Sequence, residues 1–188
     1  MMNAGRFVSL WNDLVKQVRI QAEAAGVPEV ADDLQLVKAP QSLLLNPLFL
    51  PDAARFLVEA GLPGGCAPFL TFEAIAQGPI SLTQLLDDDE VIPTELSRLE
   101  SFFVLGSDNY GDSLCLDASR GGAIVCLNHE DRFQTSQFVA SSVATLAEAL
   151  LLINTKVPYS EFIRQLSLVD SPAANESAYL PVGANLPG

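Results

Sequence analysis

The sequence predicts a single α+β domain in which helices flank a central antiparallel sheet. Apolar residues recur at helical spacing near both ends of the chain, and β-type runs separated by polar turns lie between residues 102 and 127. A length of 188 residues is enough for one core, and the composition, 49% hydrophobic and 18% charged, is that of a folded chain. We assign residues 1–170 to the domain and 171–188 to a C-terminal tail.

The first predicted helix occupies the N-terminal region. Its apolar residues recur every three or four positions, and Gly26 followed by Pro28 supplies a stop. They are Phe7, Leu10, Trp11, Leu14 and Val18. The mixed pattern of the next segment, Leu34–Val37, fits a short strand or an extended connector.

A second helix is predicted to begin near Pro51, because proline is favoured in the first turn of a helix. Its buried face contains Ala53, Phe56, Leu57 and Ala60, and Gly61 and Pro63 end it. Within Cys66–Phe72 we predict a strand that begins after Pro68. The region from Ile75 to Glu100, which contains four consecutive acids at 87–90, is predicted to be a long surface excursion.

Three β-type runs follow, Phe102–Leu105, Ser113–Asp117 and Ala123–Leu127, and they predict an antiparallel meander. A turn at Ser119–Gly122 would pair Leu116 with Val125 and Leu114 with Leu127, placing these four aliphatic residues on one sheet face against a later helix. The same register places Cys115 and Cys126 across from each other on the other face, together with Asp117 and Ile124.

The C-terminal third predicts a strand and two helices. Gln137–Ser142 is an extended segment ending in a serine cap, and Pro158 separates the two helices. The first has Val143, Leu146, Ala147, Leu150 and Ile153 inward, and the second has Tyr159, Phe162, Ile163 and Leu166. The tail from Ser171 to Gly188, rich in Pro, Ala, Asn and Gly, is predicted to be loosely packed or disordered.

The net charge limits which macromolecules the protein can bind, and the cysteine content indicates the cellular compartment. A formal net charge of −13 argues against nucleic acids and anionic membranes and favours a basic protein partner, although it also fits a merely solubilising surface. Three cysteines without a CxxC pair, and an N-terminus without a signal-peptide pattern, predict a soluble cytoplasmic protein with reduced thiols. No transmembrane segment is predicted.

Motifs for catalysis and cofactor binding are not found in the sequence. The loop Gly106–Asp112 does not have the spacing of a calcium loop, and neither a phosphate-binding loop nor a nucleophile elbow occurs. The lone His129 could transfer protons, but a solvated side chain is the more common role. We therefore expect no cofactor, no metal and no enzymatic activity, while a small hydrolase with a carboxylate site stays open as an alternative.

Several short motifs, in order and spacing, resemble the SUKH superfamily, closest to its fourth subfamily. They are Leu50-Pro51, Gly61-Leu62-Pro63, Pro68–Phe72, Leu105-Gly106, Gly111–Asp117 with Gly122, and Phe138–Ser142, in which Ala140 replaces the asparagine that the family favours. The resemblance covers roughly residues 48–153. It implies an antiparallel α+β fold without catalytic residues and an immunity protein that binds and neutralises a cognate toxin, often a nuclease.

On this interpretation, acidic loops contact a basic toxin and occlude it. The predicted partner-binding residues are Asp87, Asp88, Asp89 and Glu90 on the central excursion, and Asp108, Asn109, Tyr110 and Asp112 on the sheet-edge loop. Tyr110 is the expected aromatic anchor. An adaptor or regulator on the same fold, unrelated to toxins, is the main alternative, and the sequence does not choose between them.

Overall fold

The structure is a computed structural model that describes residues 2–86, 96–175 and 177–184. Within these ranges the α-helices are α1 (Ala4–Ala25), α2 (Pro51–Glu59), α3 (Leu96–Leu99), α4 (Val143–Asn154), α5 (Tyr159–Val169) and α6 (Tyr179–Ala184). The strands are β1 (Leu36–Val37), β2 (Leu62–Pro63), β3 (Gly65–Cys66), β4 (Leu70–Thr71), β5 (Phe102–Asp108), β6 (Ser113–Asp117), β7 (Ala123–Leu127) and β8 (Ser136–Ala140).

In the described part of the chain, β3 to β8 form one six-stranded sheet in sequence order, and every neighbouring pair is antiparallel. Strands β1 and β2 form a separate two-stranded sheet. The predicted α+β class with a central antiparallel sheet is therefore confirmed. Sequential antiparallel strands need only short turns, so consecutive turns alternate between the two ends of the sheet.

Helix α4 lies on one face of the sheet and contacts α1, α2 and α5. Trp11 on α1 is fully buried, and its indole N–H donates to the carbonyl of Leu34 over 2.7 Å. The predicted helix ends are also found: Gly26 adopts the left-handed conformation after α1, and the Ser142 hydroxyl accepts from the Thr145 N–H at the start of α4.

The β6–β7 hairpin forms as predicted, but its predicted register is wrong by one residue. Leu116 pairs with Ile124 instead of Val125, and Leu114 pairs with Cys126 instead of Leu127. The connection between the strands has five residues, 118–122, where the prediction had four. Asp117 stabilises the longer turn because its carboxylate accepts from the N–H groups of Ser119 and Arg120.

A one-residue shift moves side chains to the opposite face of a sheet. Leu114 and Leu116 still face α4, but Ile124 and Cys126 join them in place of Val125 and Leu127. Cys115 and Cys126 consequently lie on opposite faces, in contrast to the predicted cross-strand pair, and both are free thiols.

The second face of the sheet carries its own apolar cluster. Its buried members are Leu82, Leu99, Phe102, Val104, Cys115, Val125 and Leu127. Leu82 and Leu99 belong to the region that was predicted to be a surface excursion, and both are almost fully buried. The described parts of that region therefore cover the sheet, because a sheet with apolar residues on both faces needs a layer on each.

The strand predicted after Pro68 is shorter than expected and belongs to a small hairpin. Strand β4 contains only Leu70 and Thr71, and it pairs with β3 on the other side of a turn at residues 67–69. On its other side, β4 approaches β5 closely at Gly106, where a Cβ atom would lie 1.8 Å from the carbonyl oxygen of Thr71. A glycine at this position thus permits the β4–β5 pairing.

The prediction of a loose tail does not hold for the described residues 171–175 and 177–184. Ala173 and Leu180 are fully buried in the main core, and the segment contacts β8. Asp170 anchors its start by accepting from the backbone N–H and the hydroxyl of Ser141, over 2.6 and 2.8 Å. Because only a few apolar residues anchor this segment to the core, its low content of apolar residues did not predict that it packs.

The longest described helix, α1, is amphipathic. Among the described residues no helix combines the length and the apolar character needed to span a membrane.

Candidate protein-interaction surface

The predicted partner-binding residues that the structure describes lie at one end of the six-stranded sheet. There the β5–β6 turn, Asn109–Asp112, lies beside the β7–β8 loop, Asn128–Thr135, because Ser113 pairs with Leu127. We call these two segments together the turn–loop surface. The other predicted group, Asp87, Asp88, Asp89 and Glu90, lies outside the described residues.

Asp108, one of the predicted partner-binding residues, organises the turn and is not a surface carboxylate. Only 7% of the residue is exposed. One carboxylate oxygen accepts from the backbone N–H groups of Tyr110 and Asp112, over 2.9 and 3.0 Å. The other accepts from the hydroxyl of Tyr179, over 3.0 Å. A buried carboxylate with three donors stabilises its surroundings and has little surface left for a partner.

Asn109 and Tyr110 form the tip of the turn and are exposed, as predicted for contact residues. The Tyr110 residue is 71% exposed, while its backbone N–H is held by Asp108. An exposed aromatic side chain on a hydrogen-bonded turn loses little conformational freedom on binding and suits an anchor role. Whether a partner uses it stays a prediction.

Asp112 joins the turn to the neighbouring loop. The residue is half-buried, and one of its oxygens accepts from the backbone N–H of His129 over 2.9 Å and lies 2.8 Å from Nδ1 of the imidazole. This side-chain hydrogen bond is the main cause that raises the pKa of His129 above its usual value of 6.5. One carboxylate oxygen of Asp112 therefore holds the β7–β8 loop, and the exposed part of the side chain remains available to a partner.

The β7–β8 loop has a hydrogen-bonded framework of its own. Asp131 accepts from the Thr135 hydroxyl and from the backbone N–H groups of Gln134 and Thr135, and these hydrogen bonds, above all that of the hydroxyl, lower the pKa of the Asp131 carboxyl. Arg98 donates to the carbonyl of Phe133 over 2.8 Å. Glu130 is exposed beside His129, and it adds an acidic side chain that the sequence did not single out.

Two carboxylates and a thiol come together beneath this surface. Ligand atoms of Asp108, Asp112 and Cys126 lie within 4.8 Å of one another. Both aspartates already accept hydrogen bonds, and burial is the main cause that raises the pKa of Cys126 to about 12. A cation would have to displace a tightly held thiol proton, so the observed interactions are those of a folded turn.

Two features of the structure were missed at the sequence level. Tyr179 bonds to Asp108 from 71 residues away, in a segment whose Pro, Ala, Asn and Gly content indicated a loose tail. A patch of exposed leucines precedes α2: Leu44 is 48% exposed, Leu45 85% and Leu48 72%. The run Leu43-Leu44-Leu45 was the available signal for this patch, since three consecutive leucines cannot all face inward from a short helical turn.

Comparison with known families agrees with this architecture. The family model described as SUKH-4 immunity protein matches residues 22–179, a range that includes the whole sheet, both hydrophobic faces and the turn–loop surface. No curated protein and no solved structure matches the chain. Because the match covers most of its length, the chain belongs to the SUKH-4 immunity protein family.

Proposed function

We propose that the protein binds a cognate toxin in the cytoplasm and neutralises it by occlusion, and that the toxin is basic and of the nuclease type. The observation that carries this proposal is the turn–loop surface. It presents an exposed tyrosine on a turn held by buried hydrogen bonds, next to acidic side chains. Membership in an immunity protein family supports the role of toxin binding.

Electrostatics supports a basic partner. The chain has a formal net charge of −13, and the exposed Glu130 adds negative charge to the turn–loop surface that carries Tyr110. Nucleases that grip polyanions carry basic surfaces, so an acidic inhibitor meets a complementary field. Such complementarity mainly increases the association rate, whereas the dissociation rate depends on buried anchors.

In this proposal each predicted residue has one role. Tyr110 is the anchor, Asn109 and Asp112 make polar contacts around it, and Asp108 holds the turn. The acids at 87–90 steer the approach of the toxin and contact its rim. None of these roles requires bond-making chemistry, so we propose that the protein is not an enzyme.

In the described part of the chain, two acids with shifted pKa values favour a role other than catalysis. Hydrogen bonds from Arg164 and Gln165 lower the pKa of Glu161 to about 2, and those from Thr135 lower that of Asp131. A general acid near neutral pH needs a raised carboxyl pKa, which is the opposite direction. These two acids are suited to holding helix α5 and the β7–β8 loop.

An adaptor role is the second candidate, and the exposed leucine patch favours it. Leu44, Leu45 and Leu48 present apolar surface on a segment separate from the turn–loop surface. Contiguous exposed apolar residues commonly mark protein–protein contacts. An adaptor would use this patch independently of Tyr110, so substitutions at Tyr110 separate the two candidates.

The test is binding to a basic toxin domain, which is to be sought as the product of a toxin-like reading frame beside the gene for this protein. We expect one-to-one binding, and Tyr110→Ala should speed dissociation by at least about tenfold, as for a buried hot-spot aromatic. Tyr159→Ala is the matched control, since Tyr159 is 39% exposed on α5. The immunity proposal fails if the purified pair does not bind at micromolar concentration.

A further inference from the structure

Two aspartates connect the C-terminal segment, residues 171–175 and 177–184, to the β5–β6 turn and the β7–β8 loop. Asp108 bonds to the turn through one oxygen and to Tyr179 on α6 through the other. Asp112 then bonds to the β7–β8 loop at His129. A continuous chain of hydrogen bonds thus runs from α6 through the turn to the neighbouring loop.

We infer that the C-terminal segment is a positioning element for the partner-binding surface, in which Tyr179 fixes Asp108 and Asp108 fixes the turn that presents Tyr110. This inference rests on the proposed function for the role of Tyr110, but the hydrogen-bonded coupling can be tested without a partner. Tyr179 and Asp108 are positioning residues, because neither needs to touch the toxin.

Burial strengthens the hydrogen bond between Tyr179 and Asp108. Asp108 is almost fully buried and Tyr179 is half-buried, so their hydrogen bond is shielded from water. Burial is also the main cause that raises the pKa of Tyr179, so the phenol keeps its proton and can donate. Loss of the hydroxyl would leave one oxygen of a buried carboxylate without its donor, which is costly unless the turn rearranges.

The C-terminal segment is itself held in place independently of Tyr179. Leu180 is fully buried, the side chain of Gln137 donates to the carbonyl of Ser177 over 2.8 Å, and Asp170 accepts from Ser141. Removal of the Tyr179 hydroxyl alone should therefore leave α6 docked. The substitution then isolates the hydrogen bond from the packing of the segment.

The experiment is amide hydrogen exchange on the full chain carrying Tyr179→Phe. We expect the amides of Tyr110 and Asp112, which donate to Asp108, to exchange about tenfold faster, the factor expected for one hydrogen bond to a charged group. Amides of β6 and β7 in the sheet core should change much less. Protection of Tyr110 and Asp112 that equals the wild type would overturn the inference.

Asp117→Asn is a matched control, because Asp117 is a buried aspartate that holds the turn at the opposite end of β6. It should accelerate exchange at Ser119 and Arg120 and leave Tyr110 unchanged. If it accelerates exchange at Tyr110 equally, the Tyr179 effect is global destabilisation and the inference fails.

A second measurement uses the same candidate toxin domain as the test of the proposed function. Tyr179→Phe should speed its dissociation several-fold while its association rate stays close to the wild-type value, because the surface charge is unchanged. Dissociation at the wild-type rate, together with faster exchange at Tyr110, would overturn the positioning role. A toxin that fails to bind even the wild-type protein would count against the proposed function, and the exchange result would then decide the coupling by itself.

Discussion

Two buried aspartates, Asp108 and Asp117, show how single residues shape the β5–β6–β7 meander. Each lies at the end of a strand and accepts backbone N–H groups from the turn that follows. The sequence places Asp108 on a loop and Asp117 at the end of a strand, but it does not show that they are buried. In our proposal the buried Asp108 holds the turn, and Asn109, Tyr110 and Asp112 are the candidate contact residues.

Gly106 is the residue at which a methyl group should do the most damage to the sheet. The Gly106→Ala substitution places a Cβ atom 1.8 Å from the Thr71 carbonyl oxygen, so β4 must move away from β5. We expect a loss of about 1–3 kcal/mol in the free energy of unfolding, typical of overpacking. Urea denaturation measures it. Gly5→Ala on α1, where the nearest atom is 3.8 Å away, is the control and should not destabilise.

His129 should titrate above its unfolded pKa of 6.5, because Asp112 accepts a hydrogen bond from the charged imidazole. A raised folded-state pKa means that the stabilisation is fully present below pH 6.5 and is lost as the pH rises through the folded-state value. NMR titration of the imidazole should show a lower pKa in Asp112→Asn than in the wild type. An unchanged pKa in that variant would exclude Asp112 as the cause.

Helices with a strong apolar periodicity were predicted correctly from the sequence, whereas strand register, which depends on turn length, was not. The spacing of Phe7, Trp11 and Leu14 predicted α1, and Ser142 correctly marked the start of α4. The register of β6 and β7 depends on whether the turn between them has four or five residues. The Ser-Arg-Gly-Gly sequence is compatible with both lengths. The Tyr179–Asp108 contact spans 71 positions, and no local pattern predicts such a pairing.

The observed register predicts which thiols can be cross-linked. Cys115 and Cys126 lie on opposite faces of the sheet, so mild oxidation of the folded protein should not join them. Leu114 lies directly across from Cys126 on the same face. A Leu114→Cys, Cys115→Ser variant should therefore form a bridge to Cys126, because directly opposed strand residues have suitable Cα separations. Mass spectrometry under non-reducing conditions distinguishes the two registers.

The C-terminal segment should contribute to global stability although it looks like a tail in the sequence. Leu180→Ala removes a fully buried side chain and should cost about 2–5 kcal/mol, the range for buried leucines. Leu168→Ala on α5, where Leu168 is 76% exposed, is the matched control and should change stability little. Equal thermal midpoints for the two variants would contradict the packing of α6.

At the scale of the whole molecule, the separation of charge and apolar surface determines how a partner can approach. Both faces of the sheet are covered by apolar clusters, so the excess negative charge is carried by surface loops and helix faces. A long-range field of this kind acts before contact, whereas Tyr110 acts only after contact. Association and dissociation rates should therefore respond to different residues.

The acids at 87–90 can test whether surface charge sets the association rate while Tyr110 sets the dissociation rate. Converting Asp87, Asp88, Asp89 and Glu90 to their amides should slow association with the toxin about tenfold at low salt, because rim charges mainly steer the encounter. The effect should shrink at high salt, where the Debye length falls to a few ångströms. A control variant loses the same charge elsewhere, by amide substitution of the exposed residues Glu23, Glu29, Asp33 and Glu59. Stopped-flow mixing over a salt series measures both variants. If both variants slow association equally, net charge alone steers the toxin and the acids at 87–90 have no special role. If neither variant slows association, the charge of this protein does not steer the toxin.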